Sequence, residues 1–280
     1  MSEIAISLED FHKLREFFYR KTGIQFDDSK RYFVDKRLLE RIEQTGSENF
    51  RNYFTLLRFQ ASGEELQKLT NLMTVNETYF FREEYQLKCL VNSILPELVN
   101  RRKPGSVLRI WSIPSSSGEE PYSIALYLSE LWPLIDQWEV ELISSDIDTE
   151  ILRKARVGIY SARSVQHVPA YMLQRYFFLT PTGDYQIKDD FRQVVEFTRV
   201  NLVDPRETWN YRGFDVIFCR NLLIYFDDLS RRKAAEVFYD ALNPGGFVCL
   251  GHSESMSRIT SLFKVRKFPE AIVYQKPEVP

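Results

Sequence analysis

Four polar clusters in this chain combine residue types that can do chemistry with flanks that can aim them. Trp111-Ser112-Ile113-Pro114-Ser115-Ser116-Ser117-Gly118-Glu119-Glu120 runs from an apolar, strand-like segment through a small-residue turn into a helix start. Such a junction sets backbone amides beside whatever lies across the strand ends. Its single glycine, Gly118, falls short of a GxGxxG loop, and Glu119 and Glu120 would repel a pyrophosphate. The same carboxylates suit the ammonium group of an amino-acid-bearing ligand; an ordinary capped turn is the plainer alternative. Ser144-Ser145-Asp146-Ile147-Asp148 places an acid at the tip of a second apolar run, where open α/β sheets accept hydrogen bonds from the ribose hydroxyls of an adenosine. That serves NAD and S-adenosylmethionine alike, and Asp148 also fits the N-cap of the next helix.

The third cluster, Phe218-Cys219-Arg220-Asn221-Leu222-Leu223-Ile224-Tyr225-Phe226, puts Arg220 and Asn221 directly after an apolar strand, at the mouth of the cleft where such sheets bind ligands. Tyr225 either aims its hydroxyl inward or is a core aromatic. In the fourth, Thr74 to Glu84, the polar Asn76, Thr78 and Arg82 surround an aromatic group and could cap the cleft; a structural ion pair for Arg82 is the alternative.

The elements that must carry these clusters follow from periodicity. Ser7 and Asp10 fit a capping box ahead of Phe11, Leu14, Phe17 and Phe18, Gly23 interrupts, and Asp28 and Ser29 restart a helix bearing Val34, Leu38, Leu39 and Ile42. Two further helical patterns follow, through Tyr53, Leu56 and Leu57 and through Leu66, Leu69 and Leu72. The first ~75 residues therefore read as a small helical bundle. From about Arg101 the pattern alternates. Strands are predicted at Val107–Trp111, Glu139–Ser145, Val194–Val200, Phe214–Cys219 and Phe247–Gly251, with helices at Ile124–Leu131, Thr149–Val157 and through Ala234, Val237, Phe238 and Leu242. That alternation predicts a parallel, doubly wound sheet, closed by an antiparallel pair at Phe263–Phe268 and Ala271–Gln275. Residues 160–195 break it: Tyr176-Phe177-Phe178-Leu179, a Pro181-Thr182-Gly183-Asp184 turn and Tyr185-Gln186-Ile187 read as a hairpin insert.

Composition narrows the function classes. With 280 residues, 44% hydrophobic, and a net charge of −2, the chain offers no global reason to bind nucleic acid or an anionic membrane. Cys89, Cys219 and Cys249 are scattered among apolar residues and read as buried thiols of a reducing compartment. His12, His167 and His252 lack metal-ligand spacing, so no metal site is expected. Met1 to Phe11 has no basic segment followed by an apolar one, and no apolar run reaches membrane-spanning length. A cytoplasmic location, no membrane insertion and a monomeric state are the expectations.

Taken in order, six segments resemble the CheR-type chemoreceptor glutamate methyltransferases. They are Asn-x-Thr-x-Phe-Phe-Arg-Glu (76–83), Ser-x-Gly-Glu-Glu-Pro-Tyr-Ser-Ile-Ala (116–125), Ser-Asp-Ile-Asp (145–148), Asn-Leu (201–202), Cys-Arg-Asn-Leu-Leu-Ile-Tyr-Phe (219–226) and Gly-His-Ser-Glu (251–254). The resemblance implies a Rossmann-like class I methyltransferase domain at 81–280, a helical receptor-docking domain at 1–80, and a small antiparallel β-subdomain inserted at 160–195. It implies S-adenosylmethionine as cofactor and glutamates on the cytoplasmic helices of methyl-accepting chemoreceptors as methyl acceptors. By the same carry-over Asn76, Thr78, Arg82, Glu119 or Glu120, Asp146, Asn201, Leu202, Cys219, Arg220 and Asn221 line the cofactor pocket, with Arg82 and Tyr225 nearest the methyl group.

Lys30, Arg37 and Arg41 fall on a narrow arc of the second predicted helix and offer a basic strip for an acidic receptor helix, or simply a solvated charged face. Two departures from the family pattern matter. Ile113-Pro114-Ser115 replaces small residues and removes an amide where the methionine end would bind. The hairpin turn around Thr182-Gly183-Asp184 is short, which predicts independence from a receptor C-terminal pentapeptide. Competing readings are a catalytically silent adaptor that binds S-adenosylmethionine or S-adenosylhomocysteine, a nicotinamide-dependent oxidoreductase, disfavoured by the missing glycine fingerprint, and methylation of a small carboxylic acid.

Overall fold

Ser7 caps helix α1 (Leu8–Thr22), its hydroxyl accepting from the Asp10 amide at 3.1 Å, and Phe11, Leu14 and Phe18 form the buried stripe. The computed structural model describes residues 5–103 and 105–278; the first four residues, on which part of the leader reading rests, lie outside them. Gly23 ends α1 with φ 73°, and a Cβ there would come within 2.6 Å of Val203, so only glycine fits this contact with the rest of the chain. The chain restarts at Asp28, as the spacing predicts, but first as a 3-10 turn. Asp27 caps a 3-10 turn at Asp28–Lys30, and α2 (Arg31–Gln44) begins after it. Helices α3 (Phe50–Phe59) and α4 (Glu64–Met73) complete the layer. Its interior holds an ionic cluster: Arg41 donates to Glu65 from Nε (2.9 Å) and Nη2 (2.7 Å), and the Tyr53 hydroxyl donates to the same carboxylate at 2.9 Å.

Helix α5 (Glu84–Cys89), a π turn and α6 (Leu95–Val99) precede the sheet. Strand β1 (Val107–Ser112) leads to α7 (Glu119–Leu131), and β2 (Glu139–Asp146) to α8 (Thr149–Val157). The insert holds β3 (Ile159–Tyr160), α9 (Ala170–Tyr176), β4 (Phe177–Leu179) and β5 (Tyr185–Ile187), paired antiparallel in the order β3-β5-β4, and then α10 (Asp189–Arg192). After it come β6 (Val195–Arg199), α11 (Pro205–Thr208), β7 (Phe214–Cys219), α12 (Asp228–Ala241), β8 (Leu242–Leu250), β9 (Lys264–Lys267) and β10 (Ile272–Gln275). The large sheet orders β6-β2-β1-β7-β8-β10-β9, parallel as far as β8 and antiparallel beyond it. This is the expected α/β sheet with a helical N-terminal layer and a small antiparallel insert.

One strand starts before its predicted limit. Asn243-Pro244-Gly245-Gly246 reads as a helix-ending turn, yet it lies inside β8 as a bulge, opposite Asp215 between the pairs Phe214–Leu242 and Val216–Phe247. Asn243 Nδ2 donates to Asp215 at 2.7 Å and to the Gly213 carbonyl at 3.0 Å, which ties the extra residues to the neighbouring strand.

Strand alternation sends side chains to two cores. Leu108, Ile110, Phe218 and Phe247 pack on the face covered by α5–α7, and Trp111, Ile217 and Val248 on the other. The second core is continuous with Phe11, Phe18, Leu38 and Tyr53 of the helical layer. That continuity holds the α1–α2 connection over the carboxyl ends of the strands.

Candidate active site

A cavity of about 550 Å³ opens at the carboxyl ends of β1, β2 and β7 and is covered by residues 73–79 and the α1–α2 connection. Its size suits a small-molecule ligand. Four non-glycine residues among those described have positive φ: Phe81 (61°), Glu83 (49°), Ser116 (49°) and Asn221 (58°). All four belong to segments that build this cavity. Such conformations cost about 1–3 kcal/mol each and persist where the surroundings over-determine them.

The floor is an alternating chain of charges. Arg220, its side chain 3% exposed, donates Nη1 to Glu120 at 3.0 Å and Nη2 to the Arg82 carbonyl, and it lies 3.6 Å from Glu83. Burial pushes the Glu120 carboxyl up, and Arg220 and the Ser112 hydroxyl, 2.9 Å away, pull it back. Asp146, at the tip of β2, accepts the Ser116 amide (2.8 Å) and the Asp148 amide (3.0 Å). Its burial outweighs these bonds, and the carboxyl titrates at about 6 instead of 3.8.

Asp148 caps α8 through Oδ1, as its position predicts, and with Oδ2 accepts from Thr74 (2.6 Å) and Asn76 (3.0 Å). The segment that covers the cavity is thereby anchored to the β2 tip. Arg82 donates Nη1 to the Glu77 carbonyl at 2.9 Å. Tyr225 lines the cavity; burial and then the Glu77 charge raise its pKa against Arg82, so its hydroxyl stays protonated at neutral pH.

The structure thus brings Asn76, Thr78, Arg82 and Glu120 to one cavity with Asp146, Arg220, Asn221 and Tyr225. Four other carried-over residues do not line it. Glu119, one helical step from Glu120, accepts instead from Ser117 (2.6 Å) and Ser164 (2.8 Å). Asn201 donates to the Lys21 carbonyl at 2.7 Å and so fastens the end of α1. Leu202 and Cys219 are core residues, Cys219 pointing away from the cleft because its neighbour Arg220 points in.

The basic strip needs a correction. Lys30 is exposed at the cavity rim, but it sits on the 3-10 turn and not on α2. Arg41 is buried against Glu65 and unavailable to a partner. Arg37 is half-buried, stacked 3.4 Å over the Phe33 ring and donating to the Leu72 carbonyl at the end of α4. Its position therefore supports the cavity wall.

Residues that the motifs did not single out also matter. Ile24, Gln25 and Phe26 of the α1–α2 connection line the cavity, and the Gln25 amide donates to the Tyr225 carbonyl at 3.1 Å. The hydroxyls of Ser115 and Ser116 and the Arg220 Nε are buried without a partner among the described atoms. Unmet capacity of this kind at a cavity marks a ligand site. Carboxylates, free hydroxyls and an arginine together fit a ligand with ribose hydroxyls, an ammonium and a carboxylate, which S-adenosylmethionine carries.

Residues 9–74 match the family model described as CheR methyltransferase, all-alpha domain, and residues 76–272 that described as CheR methyltransferase, SAM binding domain. The chain is 59% identical to chemotaxis protein methyltransferase 2 of Vibrio cholerae over 99% of this chain and 96% of that one. It is 37% identical to chemotaxis protein methyltransferase 2 of Pseudomonas aeruginosa (94% and 92% covered) and 36% identical to the chemotaxis protein methyltransferase of Salmonella typhimurium (94% and 89%). No helix among the described residues is long and apolar enough to cross a membrane.

Proposed function

The chain belongs to the CheR methyltransferase family and uses S-adenosylmethionine for methylation in chemotaxis, and from that premise we propose that its acceptors are glutamate side chains on the cytoplasmic helices of chemoreceptors. The observation that carries this reading is that Arg82 and a protonated Tyr225 line one cavity, two donors suited to an ionised carboxylate.

In this reading Asp146 accepts from the ribose hydroxyls, Glu120 faces the ammonium, and Ser115, Ser116, Asn76, Thr78, Arg220 and Asn221 complete the cofactor site. S-adenosylmethionine, when bound, supplies an electrophilic methyl group on a sulfonium. A glutamate carboxylate is already ionised at pH 7, so no residue of this chain needs to remove a proton. Arg82 and Tyr225 hold the carboxylate oxygens by hydrogen bonds, and the apolar wall formed by Ile24, Phe26 and Phe33 keeps water out. Positioning of this kind can contribute about 7–11 kcal/mol in favourable cases. Once esterified, the acceptor loses its negative charge and with it most of its attraction for Arg82, which favours release.

Lys30, free at the rim, is the cation best placed to meet an acidic receptor helix. We also propose pentapeptide independence, on the short Thr180–Asp184 turn closed by the Thr180 amide onto the Asp184 carbonyl at 2.8 Å. A cytoplasmic monomer fits both roles. The test is methyl-labelled S-adenosylmethionine with chemoreceptor-bearing membranes, with and without the receptor C-terminal pentapeptide. Alkali-labile label released as methanol from receptor bands, equal in both preparations, is the expected result. Base-stable label would refute glutamate ester formation, and label only on the pentapeptide-bearing receptor would refute independence.

A further inference from the structure

Behind the cavity three backbone amides converge on one carboxylate. Glu254, on the loop after β8, accepts the Asn221 amide (2.9 Å) and the Gly251 amide (3.0 Å) at Oε2, and the Leu223 amide (2.8 Å) at Oε1. Burial raises its pKa and the backbone amides hold it back, so the site is arranged around the ionised form. The loop so gripped, residues 221–226, brings Asn221 and Tyr225 to the cavity. Asn221 has φ 58°, in the left-handed region that most side chains avoid and asparagine tolerates, and the Glu254 bond to its amide fixes it there. Gly251 leaves room for the grip: a Cβ there would lie 3.0 Å from Glu254 Oε2 and 3.1 Å from both the backbone nitrogen and the Nδ2 of Asn221. On the other side, the Gln25 amide on the Tyr225 carbonyl and the bridge between Ile24 and Phe226 join the loop to the helical layer. The loop is held from both sides: Arg231 Nε also donates to the Leu223 carbonyl at 2.9 Å, and Glu254 is the side chain that takes up the Asn221 amide itself.

We propose that Glu254 is a positioning residue for cofactor binding, holding Asn221 in the left-handed conformation that turns it to the cavity. The inference rests on the assignment of Asn221 to the cofactor site and not on the identity of the acceptor. Glu254→Gln keeps the volume but sets an NH2 group against amide donors, leaving one oxygen to do the work of two.

The test is calorimetric titration of folded protein with S-adenosylhomocysteine, for Glu254→Gln, Asn221→Gly and the double variant. Each single substitution is expected to raise Kd about tenfold, and the double variant to be no more than about twofold weaker than the weaker single variant. A double variant weakened multiplicatively, by about 100-fold, would show that Glu254 does not act through Asn221 and would overturn the proposal. So would a Glu254→Gln protein with a lowered melting temperature and an unchanged Kd, since that is a purely structural role. If Asn221→Gly alone leaves Kd unchanged, the Asn221 assignment fails and the proposal with it. Should Glu254→Gln not fold, Gly251→Ala presses a methyl group between the same atoms. The same tenfold loss is expected of it, and an unchanged Kd refutes the grip.

Discussion

Asp146 gives the most quantitative handle on this site. Its carboxyl titrates at about 6 in the fold, against 3.8 when exposed, because desolvation outweighs the amides of Ser116 and Asp148. Ionising it in the native state therefore costs about 3 kcal/mol once the pH is well above 6, at 1.36 kcal/mol for each pH unit of displacement. The sign follows from linkage. Below about 3.8 the group is protonated in both states and the penalty is absent; it grows as pH rises and is complete above about 6. Between pH 5 and pH 7.5 the native state should lose about 1.4 kcal/mol through this group alone. Asp146→Asn cannot ionise, so its unfolding free energy, from urea titration of the cofactor-free protein, should gain about that amount relative to the parent over the same interval. Ligand binding runs the other way, because ribose hydroxyls need the ionised acceptor. S-adenosylhomocysteine should bind the parent about tenfold more weakly at pH 5 than at pH 7, and Asp146→Asn, which stays neutral, at least about tenfold more weakly than the parent at pH 7 and without this pH dependence. A constant offset between the two proteins from pH 5 to 7.5 would refute the claim that Asp146 carries this ionisation cost.

Arg82→Ala is expected to lower kcat by about 100-fold or more in the receptor methylation assay, since it removes a charged donor from the proposed acceptor site; full activity would end its orienting role. Tyr225→Phe, which removes one neutral donor, should cost about tenfold in kcat and leave S-adenosylhomocysteine affinity unchanged by calorimetry. Glu65→Gln strands the buried Arg41 and should destabilise the fold by about 3–5 kcal/mol in urea melts, a result opposite to that of a freely solvated Arg41. Lys30→Glu should raise the KM for receptor and make it less sensitive to salt, while the melting temperature stays put, because Lys30 is exposed at the rim.

Much of this architecture follows from local rules that need no knowledge of the fold. The Ser7 cap, the Asp148 cap and the limits of α8 and β7 depend on spacings of a few residues, and periodicity exposes them directly. So does the placing of Asp146 and Arg220 at strand tips, since the end of an apolar run is also the edge of the sheet. Which charges stay free is another matter. Arg41 pairs with Glu65 across 24 residues, and Glu254 reaches Asn221 across 33, distances over which a linear pattern carries no information. Adjacent Glu119 and Glu120 are alike in sequence, yet a turn of about 100° along α7 sends one to Ser164 and the other to Arg220. Local pattern thus reaches the main helices and the strands of the large sheet, the strand-tip acid and the chemistry on offer, but not short elements such as α9–α11 or the early start of β8. The tertiary structure alone decided which side chains share the cavity, because that depends on which distant segments the sheet order brings face to face.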